Sequence, residues 1–160
     1  MNILDRVLLS KSGSVQSIGA HSAFNQHRVL VDEPSPWVAS LDKRFNDLTS
    51  LPVGWDGYKG VPVLYTVARF ASQILSRLYV KGLPAPSLVP GSDGTLQIEW
   101  HINQYDVELD ILNVNSIFAS RYDCLSGAEE SFSLSNDVTI PSRWMHDLVA
   151  KRAELAATAV

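Results

Sequence analysis

Between residues 35 and 80 the apolar positions recur at helical spacing. Trp37, Leu41, Phe45 and Leu48 follow one another by four, four and three residues, opposite Asp42, Lys43, Arg44 and Asp47. Ser35 followed by Pro36 supplies a capping hydroxyl and a preset φ, so the pattern predicts a helix that starts there and ends before Pro52. A stronger stripe of Leu64, Val67, Ala68, Ala71, Ile74, Leu75 and Leu78 predicts a core helix opening at Pro62 and running through Val80. Gly82 is placed to end it in a left-handed cap.

The period then changes to that of a strand. Leu96, Ile98, Trp100 and Ile102 alternate with Gln97, Glu99 and His101, while Val107, Leu109 and Ile111 alternate with Asp106, Glu108 and Asp110. A tight turn at Asn103-Gln104 joins these strands into a hairpin that pairs Ile102 with Tyr105, His101 with Asp106 and Glu99 with Glu108. Residues 116–123 predict a third strand after an Asn113-Val114-Asn115 turn, and residues 131–134 a short fourth. Residues 83–90 read as a proline-rich connector, and Ser142 as the cap of a terminal helix carrying Trp144, Leu148 and Leu155. Helices preceding strands predict an α+β fold: an antiparallel β-meander of three or four strands packed against two or three helices.

Composition narrows the class. With 160 residues, 46% hydrophobic and 19% charged, the chain suits a single domain over residues 1–160 with its own core. The Ser/Gly-rich stretch inside residues 1–31 is the exception and predicts a mobile N-terminal arm. Thirteen basic against seventeen acidic side chains give a net charge of −4, which argues against direct nucleic-acid binding. A lone cysteine, Cys124, permits no intrachain disulfide and suits a reducing compartment. Residues 1–9 carry Asp5 and Arg6 where a secretory signal would be apolar, and no run approaches the ~18 apolar residues of a membrane span. The expectation is a cytoplasmic protein without a membrane partner.

Two islands carry the candidate chemistry. In residues 51–62, Gly54 and Gly57 permit positive φ, Asp56 can accept amides of its own turn, and Trp55 and Tyr58 offer large amphipathic surfaces. Such a loop either grips a partner or plugs the junction between the two helices. On the hairpin, Glu99, His101, Asp106 and Glu108, with Asp110 and Gln97, are expected to cluster on the polar face. Glu99, His101 and Glu108 are a candidate metal set there, because imidazole with carboxylates suits a transition ion. The competing reading is a solvated face, or one covered by Lys81, Arg77 or Arg121.

Other chemistry lacks a pattern. His21, His27 and His146 show no paired zinc-ligand spacing, and no serine sits in a Gly-x-Ser-x-Gly elbow. Cys124 has no evident activating base, and the glycines before Pro62 match no phosphate-binding fingerprint. No catalytic residue and no cofactor is therefore assigned.

The run Leu51-Pro52-Val53-Gly54-Trp55-Asp56-Gly57-Tyr58, then Leu96-Gln97-Ile98-Glu99-Trp100-His101 and Val107-Glu108-Leu109, resembles a recurring group of small uncharacterised prokaryotic proteins. The resemblance spans roughly residues 51–112 and implies that this stretch is one unit; it implies no reaction. The leading expectation is a non-enzymatic bacterial or phage interaction protein of antitoxin, immunity or anti-defence type that masks a basic protein partner. Trp55, Asp56, Tyr58, Glu99, His101, Asp106 and Glu108 would form its contact residues. One alternative is a small metal-dependent hydrolase or nuclease using the acidic hairpin face. Another is a structural homo-oligomer, such as a homodimer, with Trp37 or Trp144 at its interface.

Overall fold

A computed structural model describes residues 35–158, so the expected arm of residues 1–31 lies outside the described residues. The elements run α1 (Pro36–Thr49), α2 (Tyr65–Leu78), β1 (Ser87–Pro90), β2 (Leu96–Ile102), β3 (Tyr105–Asn113), β4 (Ser116–Asp123), β5 (Glu129–Leu134) and α3 (Thr139–Thr158). The class is α+β, as the change of period predicts. The strands form an antiparallel meander in the order β1-β2-β3-β4-β5, one strand more than expected.

The additional strand is β1, taken from the stretch expected to be a connector. Leu88 is buried opposite Ile98, and its carbonyl accepts from Arg44 Nη2 at 3.0 Å. Pro90 is tolerated because it closes an edge strand, where a missing N–H costs little. Four residues next to prolines give too short an alternation to register as a strand.

Helix boundaries shift for identifiable reasons. Ser35 caps α1 as expected, accepting the Val38 amide, with Pro36 in the first turn. The second helix begins at Tyr65 rather than Pro62, because the chain before it is tied elsewhere. Val63 N–H donates to the Leu48 carbonyl at 3.1 Å and Leu64 N–H to the Gly94 carbonyl at 3.0 Å. Leu64 is extended and half exposed, outside the apolar stripe it completes in sequence. At the other end Tyr79 turns extended (φ −56°, ψ 126°), so α2 ends before Val80 and Gly82 serves the following turn at φ +100°. For α3, Asp137 accepts the Thr139 amide at 2.8 Å and starts the helix three residues before Ser142, which lies in its first turn.

The core lies on one side of the sheet. Leu96, Ile98, Trp100, Val107, Leu109, Ile111, Ile117 and Ala119 project from β2, β3 and β4 against buried residues of the three helices. Trp37 stacks on Trp100 with centroids 5.5 Å apart and donates from its indole to the Leu83 carbonyl. Trp37 and Trp144 are 3% and 1% exposed, which removes both from the oligomer interface expected of them. Because the helices occupy this side, the opposite face of the sheet has no covering layer among the described residues. No helix of these residues is long and apolar enough to cross a membrane.

Candidate functional site

The uncovered face is built by alternation. The Asn103-Gln104 turn, with φ of 54° and 69°, sets a register in which His101 opposes Asp106, Glu99 opposes Glu108 and Gln97 opposes Asp110. These pairs match the ones the sequence predicts. Positive φ at a two-residue turn is what the right-handed twist of a hairpin demands, and asparagine tolerates it better than most residues.

His101 is clamped between two acids. Its Nδ1 lies 2.8 Å from Asp106 Oδ1 and its Nε2 lies 3.2 Å from Glu99 Oε2. The Asp106 contact, then Glu99, raises its pKa against a smaller opposing effect of desolvation. With both nitrogens engaged by carboxylates, the ring favours the imidazolium and has no lone pair to give a metal. Glu108 accepts from Gln97 Nε2 at 3.1 Å. Among the described residues no group of three His, Cys, Asp or Glu side chains is arranged to hold a metal ion. The expected set of Glu99, His101 and Glu108 is thus not arranged as a metal site; His101 bonds Glu99, and Glu108 bonds Gln97.

The acids nevertheless remain poorly satisfied. Desolvation, followed by the charges of Glu99 and Asp110, raises the pKa of Glu108. Desolvation and the Glu99 charge raise that of Asp110, partly offset by a hydrogen bond from Gln97. The face therefore holds like charges against their mutual repulsion. Arg121 and Arg77, expected as covering cations, point elsewhere. Arg121 stands on the core side, bound to Asp147 at 2.6 Å and Glu130 at 2.5 Å and stacked over Tyr105 and Trp144. Arg77 donates to the Asn136 carbonyl at 2.7 Å.

Extending the register to β4 and β5 adds residues that a reading of the hairpin alone misses. Phe118, Ser120 and Tyr122 oppose Asp110, Glu108 and Asp106, and Glu129 lies opposite Tyr122. A depression of about 200 Å³ forms between them, lined by Asp106, Glu108, Ser120, Arg121, Tyr122 and Glu129. The signal was available, since Phe118 and Tyr122 sit at the polar-face parity of the third strand. Cys124 at the rim places its thiol 3.7 Å from Asp106 Oδ2. Desolvation and the Asp106 charge raise the thiol pKa, which disfavours the nucleophilic thiolate.

The aromatic loop is a separate feature. Asp56 Oδ1 accepts the amides of Tyr58 and Gly60, both at 2.9 Å, which lowers its pKa. Gly54 N–H donates to the Gly60 carbonyl at 2.7 Å, and the Trp55 indole donates to the Val61 carbonyl at 2.9 Å. Trp55 is half-buried and fastens the loop, whereas Tyr58 is 88% exposed at its tip. Val61 and Leu64 bind the backbone of the β1–β2 turn, so the loop sits at the end of β2 opposite to His101. Most of the length of β2, about 17 Å, thus lies between His101 and the strand end where the loop is attached. The expected contact residues thus fall into two groups, with Glu99, His101, Asp106 and Glu108 brought together. No family model matches the chain, and no curated protein or solved structure matches it.

Proposed function

We propose that this chain is a non-enzymatic interaction protein of antitoxin, immunity or anti-defence type, acting in the cytoplasm of a bacterium or on behalf of a phage. It masks a basic protein partner with the uncovered face of its sheet. The observation that carries this reading is the concentration of Glu99, Asp106, Glu108, Asp110 and Glu129 on a face with no covering layer among the described residues, while Arg121 and Arg77 are bound elsewhere. A cationic surface laid on that face relieves repulsion that the free chain bears, and complementary charge raises the association rate. The exposed Tyr58 on its braced loop supplies a second, aromatic contact of the kind enriched at binding hot spots.

The experiment is capture from the native host with wild-type protein beside a Glu99→Gln, Glu108→Gln, Asp110→Asn variant. A basic protein held by the wild type in low salt, and lost from the variant, supports masking. Equal capture by both removes the role of the acidic face.

A further inference from the structure

The two edges of the sheet are unequal. At β1 the strand has four residues, ends in Pro90, and gives the Leu88 carbonyl to Arg44 of α1. At β5 the strand has six residues, Glu129–Leu134, of which the first five are exposed, and among the described residues no further strand pairs beyond it. It contains no proline, and the charges that guard it are the two acids at its start, Glu129 and Glu130, so a strand that fits must answer them. Its backbone groups on the side away from β4 are a template for one more strand.

Charge decides which strand fits. Glu129 lies on the uncovered acidic face opposite Tyr122, and Glu130 lies on the core side bound to Arg121. A second copy paired antiparallel about the strand centre would set Leu134 and Ser133 opposite Glu129 and Glu130 and leave these acids without a complement, whereas a basic segment brings one. Farther along, Phe132 and Leu134 share the core side, with Phe132 stacked 6.1 Å from Trp144, and Ser131 and Ser133 share the outer side. We propose that the partner docks an extended segment antiparallel along β5, apolar residues opposite Leu134 and Phe132 and basic residues opposite Glu130 and Glu129. This rests on the reading of the acidic face as the surface for a basic partner, and adds to it the backbone geometry by which that partner is held.

The test uses the full chain and the capped peptide Leu-Ser-Val-Thr-Lys-Arg, whose order matches β5 read backwards, beside the same peptide N-methylated at alternate residues. Titration followed by amide exchange is expected to show slowed exchange of alternate β5 amides with the first peptide and none with the peptide whose N-methyl groups face β5. Glu129→Lys, which leaves the Arg121 to Glu130 pair intact, is expected to weaken binding about fivefold. Equal affinity for the peptide N-methylated on the face toward β5, with sensitivity to Glu129→Lys, overturns strand addition while leaving the basic-partner reading in place. Insensitivity to both changes overturns both. A chain whose β5 amides are already protected in a dimer assigns the edge to a second copy and overturns the proposal.

Discussion

Glu108→Gln should make the free protein more stable, as the pairing of Glu99 with Glu108 that the hairpin register predicts implies. Glu108 faces Glu99 across the hairpin and stands two residues from Asp110 on the same face, while Gln97 Nε2 donates to it at 3.1 Å. Glutamine keeps an acceptor for that bond and removes the repulsion. Directly opposed like charges cost about 0.2–1 kcal/mol, so with two acidic neighbours the gain is about 1 kcal/mol. For a chain of this size that raises Tm by about 2–4 °C. The sign with pH follows from the raised pKa of Glu108. The repulsion acts above the folded-state pKa and is relieved as pH falls through it toward the ordinary value of 4.5, so the advantage of the variant is lost in acid. Calorimetry near neutral pH in about 0.01 M and about 1 M salt separates this from a packing effect, because screening at high salt should erase most of the gain. A variant equal to or less stable than wild type at low salt would refute the account of the face.

His101 contributes with the opposite requirement. Its raised pKa means that its stabilisation is complete below the ordinary value of 6.5 and is lost as pH rises through the folded-state pKa; His101→Gln should flatten that slope in denaturation at stepped pH. Gly60→Ala would place a Cβ 2.7 Å from the Asp56 carboxyl carbon, costing about 1–3 kcal/mol in urea unfolding, against little change at the open Lys59 next to it. Arg121→Ala should cost about 1–2 kcal/mol, mainly by unstacking Tyr105 and Trp144, since Asp147 and Glu130 are nearly half exposed and resolvate; Arg121→Lys should recover less than half in the same unfolding assay, lacking the forked donor. Tyr58→Ala and Glu108→Gln should weaken partner capture additively within about 0.5 kcal/mol, since sites so far apart couple little; strong coupling by titration calorimetry would place both on one compact contact.

The legible parts of the fold are those where local chemistry and tertiary packing ask for the same thing. The hairpin register is readable residue by residue because Asn103-Gln104 fixes the turn and Leu96, Ile98, Trp100, Val107, Leu109 and Ile111 all point inward. α1 was readable because Ser35 and Pro36 mark its start and the stripe from Trp37 to Leu48 marks its face. Legibility failed where a distant partner claimed a local signal. Pro62 looks like a helix start, yet the chain there is held by Ser92, Gly94 and Leu48, none of which is near in sequence. Ser142 looks like a cap, yet Asp137 reaches the amides first. Arg121 suggests a covering cation by its charge alone, although the parity that sends Phe118 and Tyr122 outward turns it toward Val107 on the core side. Its partners Asp147 and Glu130 come from α3 and β5, and only the assembled sheet brings them to it.

The same distinction bears on what the site does. A catalytic carboxylate needs an unengaged lone pair or a base poised near its working pH, held close to the atom it serves. Here the histidine has both nitrogens committed, the thiol is held protonated, and the acids with raised pKa values, Glu108 and Asp110, owe the rise to burial and to one another on an uncovered face. Repulsion of this kind, kept on a surface that folding leaves uncovered, lowers the stability of the free chain without serving its core. It is recovered when an opposite charge arrives. Mutations that relieve it should therefore divide stability from binding, making the isolated protein firmer and its complex weaker, a trade-off expected of a contact surface and not of a merely solvated face. The braced loop fits that division. Asp56 and Trp55 fix the backbone that presents Tyr58, so under the proposed reading the ordering cost of a contact there would be met before a partner is reached.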